Sequence, residues 1–178
     1  MELAPGILEG CISNNRKDQK ELYLILLPYL RAVANRYLRN TSYEKDVLQE
    51  SFVKIFKSIN TYDSKKAPLK SWASRIIINT CLNYNERVIG APTEELLVVN
   101  HEGTQRPTAL EQVTDDKLLA ILKKMPKGYF EVFNLFVIEG YNHKEIASFL
   151  GISEALSRKN LSRAKAWFQK AKPMLIDN

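Results

Sequence analysis

Apolar residues recur at every third or fourth position along almost the whole chain, and no segment alternates convincingly between apolar and polar. That spacing lines side chains along one face of an α-helix and restricts the fold class to all-α. Leu22, Leu26, Leu30, Val33 and Tyr37 form the first stripe, preceded by Asp18 and Glu21 at capping-box spacing. Pro28 falls inside it and predicts a kink or two consecutive helices, because proline has no N–H to donate. Thr41 and Glu44 repeat the capping spacing before a second stripe of Leu48, Phe52, Ile55, Phe56 and Ile59. After a polar loop, Pro68 stands where a first-turn proline would open a third helix. Leu69, Trp72, Ala73, Ile76, Ile77, Thr80 and Tyr84 mark its buried side.

The periodicity lapses over residues 90–107, where Gly, Pro and polar residues read as a linker and only residues 96–99 resemble a short strand. Charge divides the chain at the same place. Residues 1–88 carry 14 basic and nine acidic groups, residues 89–112 one and four, and residues 113–178 eleven and seven. Two basic blocks therefore flank an acidic connector. The expected organisation is two small helical domains, 1–88 and 113–178, joined by a flexible linker over 89–112.

Several function classes are disfavoured. Cys11 and Cys81 stand alone, with no CxxC pair, and His101 and His143 are the only histidines. Neither a zinc site nor a disulfide framework is suggested, and no metal or cofactor is expected. No nucleophilic, His-based or phosphate-loop constellation points to an enzyme. Free thiols fit a reducing cytosol. The first 13 residues lack a positive n-region, and the longest apolar run, residues 22–27, is too short to span a bilayer. The expectation is a cytoplasmic protein without membrane insertion.

The last two helices are the most informative. After a helix through Phe130, Phe133, Phe136 and Val137, stopped by Gly140, Asn142 and Glu145 have capping-box spacing. A short helix then runs to Leu150, Gly151 suits a left-handed cap, Ile152 plugs the turn, and Ser153 caps a longer helix ending near Lys172. Short helix, Gly-containing turn and long helix form a helix-turn-helix pattern. The long helix bears Arg158, Lys159, Arg163, Lys165, Lys170 and Lys172 opposite an apolar line of Leu156, Leu161, Ala164 and Phe168. Such a helix suits the DNA major groove, with first-turn side chains at base edges and others on phosphates. The alternative is a helical hairpin whose lysines are merely solvated.

In the first domain, Asp46, Gln49 and Glu50 share a face away from the apolar stripe. Asp46 and Glu50 are like charges at i,i+4, an arrangement that costs an isolated helix about 0.2–0.5 kcal/mol. An acidic cluster on a basic domain suits a basic partner; an ordinary solvated face is the alternative. Arg75, Asn79 and Asn83 lie on the polar side of the third helix, near the loop Asn60, Thr61, Tyr62, Asp63, Ser64, Lys65 and Lys66. Amide and basic groups beside aromatics suit a single strand with an extruded base. Trp72 follows the apolar stripe and is expected in the core.

The run Asp46–Phe52 (DVLQESF), followed by Trp72–Asn79 (WASRIIIN), resembles region two of the extracytoplasmic-function sigma factors. Glu145–Ser153 (EIASFLGIS), followed by Leu161–Ala164 (LSRA), is similar to their region four, and Leu122–Pro126 (LKKMP) matches their usual Leu-Pro step. The ordered motifs span residues 20–178. The resemblance implies a bacterial promoter-specificity subunit whose partners are core RNA polymerase and promoter DNA. It makes Asp46, Gln49 and Glu50 polymerase contacts. The 60–66 loop with Arg75, Asn79 and Asn83 becomes the contact to the single-stranded −10 element, and Arg158, Lys159, Ser162 and Arg163 the contact to the duplex −35 element. It further implies that the connector threads the RNA exit path, where Glu94, Glu95, Glu102 and Glu111 could mimic RNA; a solvated tether is the alternative. An anti-sigma partner is a family expectation with no motif here behind it. The competing class is a helix-turn-helix regulator that binds duplex DNA without polymerase, which leaves the acidic patch and the first domain unexplained.

Overall fold

Asn15 opens the longest helix by accepting the Lys17 N–H at 2.9 Å, so this helix begins at Arg16 and not at the Asp18–Glu21 pair. The computed structural model describes residues 6–89 and 116–171, and these fall into two compact units. Nearly all of the expected linker, with its strand-like piece and its four glutamates, lies outside the described residues.

The first unit contains α1 (Ile7–Ile12), α2 (Arg16–Tyr37), α3 (Glu44–Ser58) and α4 (Leu69–Ile89). α2 runs unbroken through Pro28, so the stretch is one helix and not two consecutive ones. The reason is exposure. Pro28 and Leu24, whose carbonyl loses its helical donor, both face solvent, so water can take that bond. Leu22, Leu26, Leu30, Val33 and Tyr37 are buried as the stripe predicts. α3 is preceded by a 3₁₀ turn, Thr41–Tyr43, capped by Asn40 through the Ser42 N–H at 3.0 Å; Thr41 does not form the expected capping box. Leu48, Phe52, Ile55 and Ile59 are buried, together with Val47. The Arg31 Nε and the Glu44 carboxylate meet at 2.6 Å and tie α2 to α3.

α2, α3 and α4 pack on one another, and α1 packs on α2. Pro68 lies one residue before α4, its carbonyl accepting the Trp72 N–H at 3.1 Å. α4 is the central helix. Ala73, Ser74, Ile76, Ile77, Ile78, Thr80, Cys81 and Leu82 are all buried, so burial runs around most of its circumference instead of along one stripe.

The second unit contains α5 (Asp116–Lys123), α6 (Lys127–Phe133), α7 (His143–Leu150) and α8 (Glu154–Ala171). A π-helical turn, Asn134–Ile138, extends α6. Its wider winding shifts the register, so Leu135 is fully buried and Val137, expected inward, is 41% exposed. The Glu139 N–H bonds to the Asn134 carbonyl at 3.0 Å, and Gly140 ends the segment at φ 72°. α6 and α7 both pack on α8. The described residues are helical throughout their regular structure, without a strand.

Candidate nucleic-acid interface

The turn between α7 and α8 is fixed by local chemistry. Asn142 Oδ1 accepts the Glu145 N–H at 2.9 Å, and Glu145 Oε2 accepts the Asn142 N–H at 2.7 Å, completing the capping box. Gly151 adopts φ 65°, a conformation that costs a Cβ-bearing residue, and lets the Ile152 N–H reach the Ala147 carbonyl at 3.0 Å. Ser153 Oγ then accepts the Leu156 N–H at 3.1 Å and starts α8.

A side-chain tie reinforces the turn. His143 Nδ1 and the buried Ser157 Oγ lie 2.9 Å apart, and Phe136 stacks on the imidazole at 4.7 Å between centroids. Burial, then the charges of Arg158 and Lys165, hold the His143 pKa below its ordinary value, while Glu154 opposes them. The neutral ring is therefore favoured beside these cations.

Ser157, Asn160, Leu161, Ala164 and Ala171 are buried on α8, with Phe168 half-buried. Leu156, expected in that line, is 41% exposed, and Ser157 occupies the inward position instead. Arg158, Lys159, Ser162 and Arg163 are all exposed on the opposite side, with Lys165 and Lys170. Arg158 pairs with Glu154 at 2.7 Å. An exposed pair of this kind contributes about 1 kcal/mol or less, so the guanidinium can exchange it for another anion.

Asp46 and Gln49 are exposed, and Glu50 is half-buried and paired with Lys54 at 2.8 Å. Beside them the rings of Tyr43 and Tyr84 meet at 5.0 Å. Partial desolvation, then the charges of Asp46, Tyr43 and Glu50, raise the Tyr84 phenol above its ordinary pKa, while Arg87 opposes them. Tyr43 lies outside the apolar periodicity, and Tyr84 follows it into the expected core, so periodicity reveals neither as a surface group.

Trp72, Arg75, Asn79 and Asn83 occupy a narrow, half-buried stripe on α4. Trp72 is a boundary residue and not the core residue expected. Its ring packs against Tyr62 at 5.4 Å, joining the loop to the start of the stripe. Asn60, Thr61, Ser64, Lys65 and Lys66 are exposed, and Asp63 Oδ1 accepts the Lys65 N–H at 2.9 Å, which shapes the loop. Burial and Asp63 raise the Tyr62 phenol. The Asn79 Oδ1 is buried without a hydrogen-bond partner among the described residues.

Other chemistry is sparse. Burial pushes the Cys81 thiol up to about 12 and raises that of Cys11, so both are held as inert thiols. Among the described residues no group of three or more His, Cys, Asp or Glu is placed to hold a metal, and no helix is long and apolar enough to cross a membrane.

Two helical units, one of them a helix-turn-helix with a basic outer surface, define the class of protein. The sigma-70 region 2 family matches residues 22–87, and the sigma-70 region 4 family matches residues 115–168. The ECF RNA polymerase sigma-E factor of Haemophilus influenzae is 25% identical over 177 residues, covering 89% of this chain and 91% of its own. The ECF RNA polymerase sigma factor SigM of Bacillus subtilis is 25% identical over 123 residues, covering 68% and 74%. The structure of the sigma factor RpoE in complex with the anti-sigma factor NepR from Bartonella quintana shares the fold at TM-score 0.58 and 19% identity, over 91% of this chain and 99% of that one. CnrH, solved with the cytosolic domain of CnrY, does so at TM-score 0.56 and 21% identity, over 94% and 96%. The chain belongs to the extracytoplasmic-function family of sigma factors. Sigma factors are transcription-initiation factors and generally carry no catalytic activity.

Proposed function

We propose that this sigma factor divides promoter recognition between its two units, working in the bacterial cytoplasm and catalysing no reaction itself. The first unit, residues 1–88, docks on core RNA polymerase through Asp46, Gln49 and Glu50. It also takes the displaced −10 strand along the 60–66 loop and the Arg75, Asn79 and Asn83 stripe. The second unit, residues 113–178, lays α8 in the major groove of the −35 duplex, where Arg158, Lys159, Ser162 and Arg163 meet bases and phosphates. The acidic segment 89–112 joins them. Because RpoE was solved with the anti-sigma factor NepR, an anti-sigma protein is included among the partners.

The observation that carries this reading is the coexistence of two chemically opposite surfaces on separate units. α8 exposes Arg158, Lys159 and Arg163, and α3 exposes Asp46 and Gln49 beside the Tyr43–Tyr84 pair. A regulator acting on duplex DNA alone would need only the first surface. The half-buried Tyr62–Trp72 pair supports the strand assignment, since an aromatic face at a polar loop can stack on an unpaired base. The test is transcription in vitro from a promoter pool, with core polymerase alone and with the added chain. Sequence-selective transcripts only in the second case are expected. Duplex binding without copurification of polymerase, and without added transcription, would instead support the independent regulator.

A further inference from the structure

We infer that Leu156 reads the C5-methyl group of a thymine in the upstream promoter element, which makes it a specificity-determining residue. The inference rests on the proposed placement of α8 in the −35 major groove. Three observations lead to it.

Leu156 is the third residue of α8, and its N–H is tied to Ser153 Oγ at 3.1 Å, so its position in the first turn is fixed. Leu156 is 41% exposed, although the apolar line of α8 would place it inward. The inward place belongs to Ser157, fully buried and 2.9 Å from His143 Nδ1, so α8 cannot roll to bury Leu156 without breaking that tie. At helical spacing Leu156, Lys159 and Arg163 follow one another along a single flank, i, i+3 and i+7. An exposed apolar group followed along its flank by two exposed cations fits a polyanionic partner with an apolar feature beside its phosphates. Duplex DNA supplies that combination. Of the base-pair edges in the major groove, only thymine presents an apolar group, its methyl, and first-turn side chains of such a helix are those that reach base edges. A leucine can neither donate nor accept a hydrogen bond, so it contributes nothing to reading the polar edges.

The test replaces one methyl at a time. Upstream elements are selected from a random duplex pool by the full chain bound to core polymerase, and each thymine of the winning element is then replaced singly by deoxyuridine. Synthetic DNA carries no methylcytosine, so any methyl effect belongs to thymine. At one position the substitution should weaken wild-type binding about fourfold, the effect of one buried methyl group. Leu156→Ala should bind the two duplexes alike, and Leu156→Met should keep the discrimination. Unchanged wild-type affinity at every deoxyuridine position would overturn the inference, and so would equal discrimination by Leu156→Ala. Arg158→Ala/Lys159→Ala on the same duplex separates the two layers: if it binds as tightly as wild type, the −35 reading itself falls. If it binds weakly while deoxyuridine has no effect, only the role of Leu156 falls.

Discussion

α4 and α8 carry the α-helical residues assigned to nucleic acid, yet they are built in opposite ways. α4 is the central helix of its unit, buried from Ala73 through Leu82 on most of its circumference, and its Trp72, Arg75, Asn79 and Asn83 stripe is only half-buried. α8 is buried on one side and exposes Arg158, Lys159, Ser162 and Arg163 on the other. A recognition surface on α4 is therefore coupled to the stability of its unit, whereas a surface on α8 is separable from it. The first arrangement gives a rigid, narrow site suited to gripping a single strand. The second gives a broad surface whose side chains can change without cost to the fold.

The largest expected effect separates the two helices by stability. Ile77→Ala removes a fully buried side chain from the middle of α4 and should cost about 2–5 kcal/mol in urea denaturation. Lys159→Ala, at a comparable depth along α8, should stay within about 0.5 kcal/mol of wild type. Similar losses at the two positions would break the contrast. The second effect concerns binding. Arg158→Ala/Lys159→Ala should lose about 1–3 kcal/mol of affinity for the upstream duplex and relax selectivity there, with an unchanged melt. Undiminished affinity in a gel-shift titration with holoenzyme would place the −35 contact elsewhere.

The smallest effect is a pH response confined to the second unit. His143 is the one histidine among the described residues, and its pKa is depressed by burial, then by Arg158 and Lys165. Between the folded value and the unfolded value near 6.5, the unfolded chain binds more protons, so stability rises with pH there. The melting temperature of the second unit should fall as pH drops below about 6.5, and His143→Gln should flatten that fall. An equal fall in the variant would remove His143 as its source.

What the sequence makes legible depends on how locally each feature is decided. The Asn142–Glu145 box and the Gly151 cap involve neighbours in the chain, so residue types alone specify them. The exposed positions of Arg158, Lys159, Ser162 and Arg163 follow from charge and period together. The inward turn of Ser157 in place of Leu156 is hidden, because it rests on a hydrogen bond to His143 at 2.9 Å that no periodicity encodes. The π-helical turn at Asn134–Ile138 likewise breaks the 3.6-residue count and exchanges Val137 for Leu135 in the core. Whether Pro28 divides the helix in two is also hidden, because it depends on whether that turn faces solvent, which is a tertiary fact. Trp72 sits at a boundary that an apolar stripe does not distinguish from the interior.

The central claim is that the two surfaces serve different partners, and polymerase capture tests it most directly. The full chain carrying Asp46→Lys/Glu50→Lys, the chain carrying Arg158→Ala/Lys159→Ala, and wild type are each mixed with core RNA polymerase and the bound fraction is measured. Both variants alter exposed or half-buried side chains, so the thermal melts should match wild type. The account predicts that the α3 reversal loses about tenfold or more in polymerase affinity, the effect of 1.4 kcal/mol. The α8 variant should bind polymerase as wild type does. Equal capture of all three proteins, or a loss confined to the α8 variant, would contradict the division.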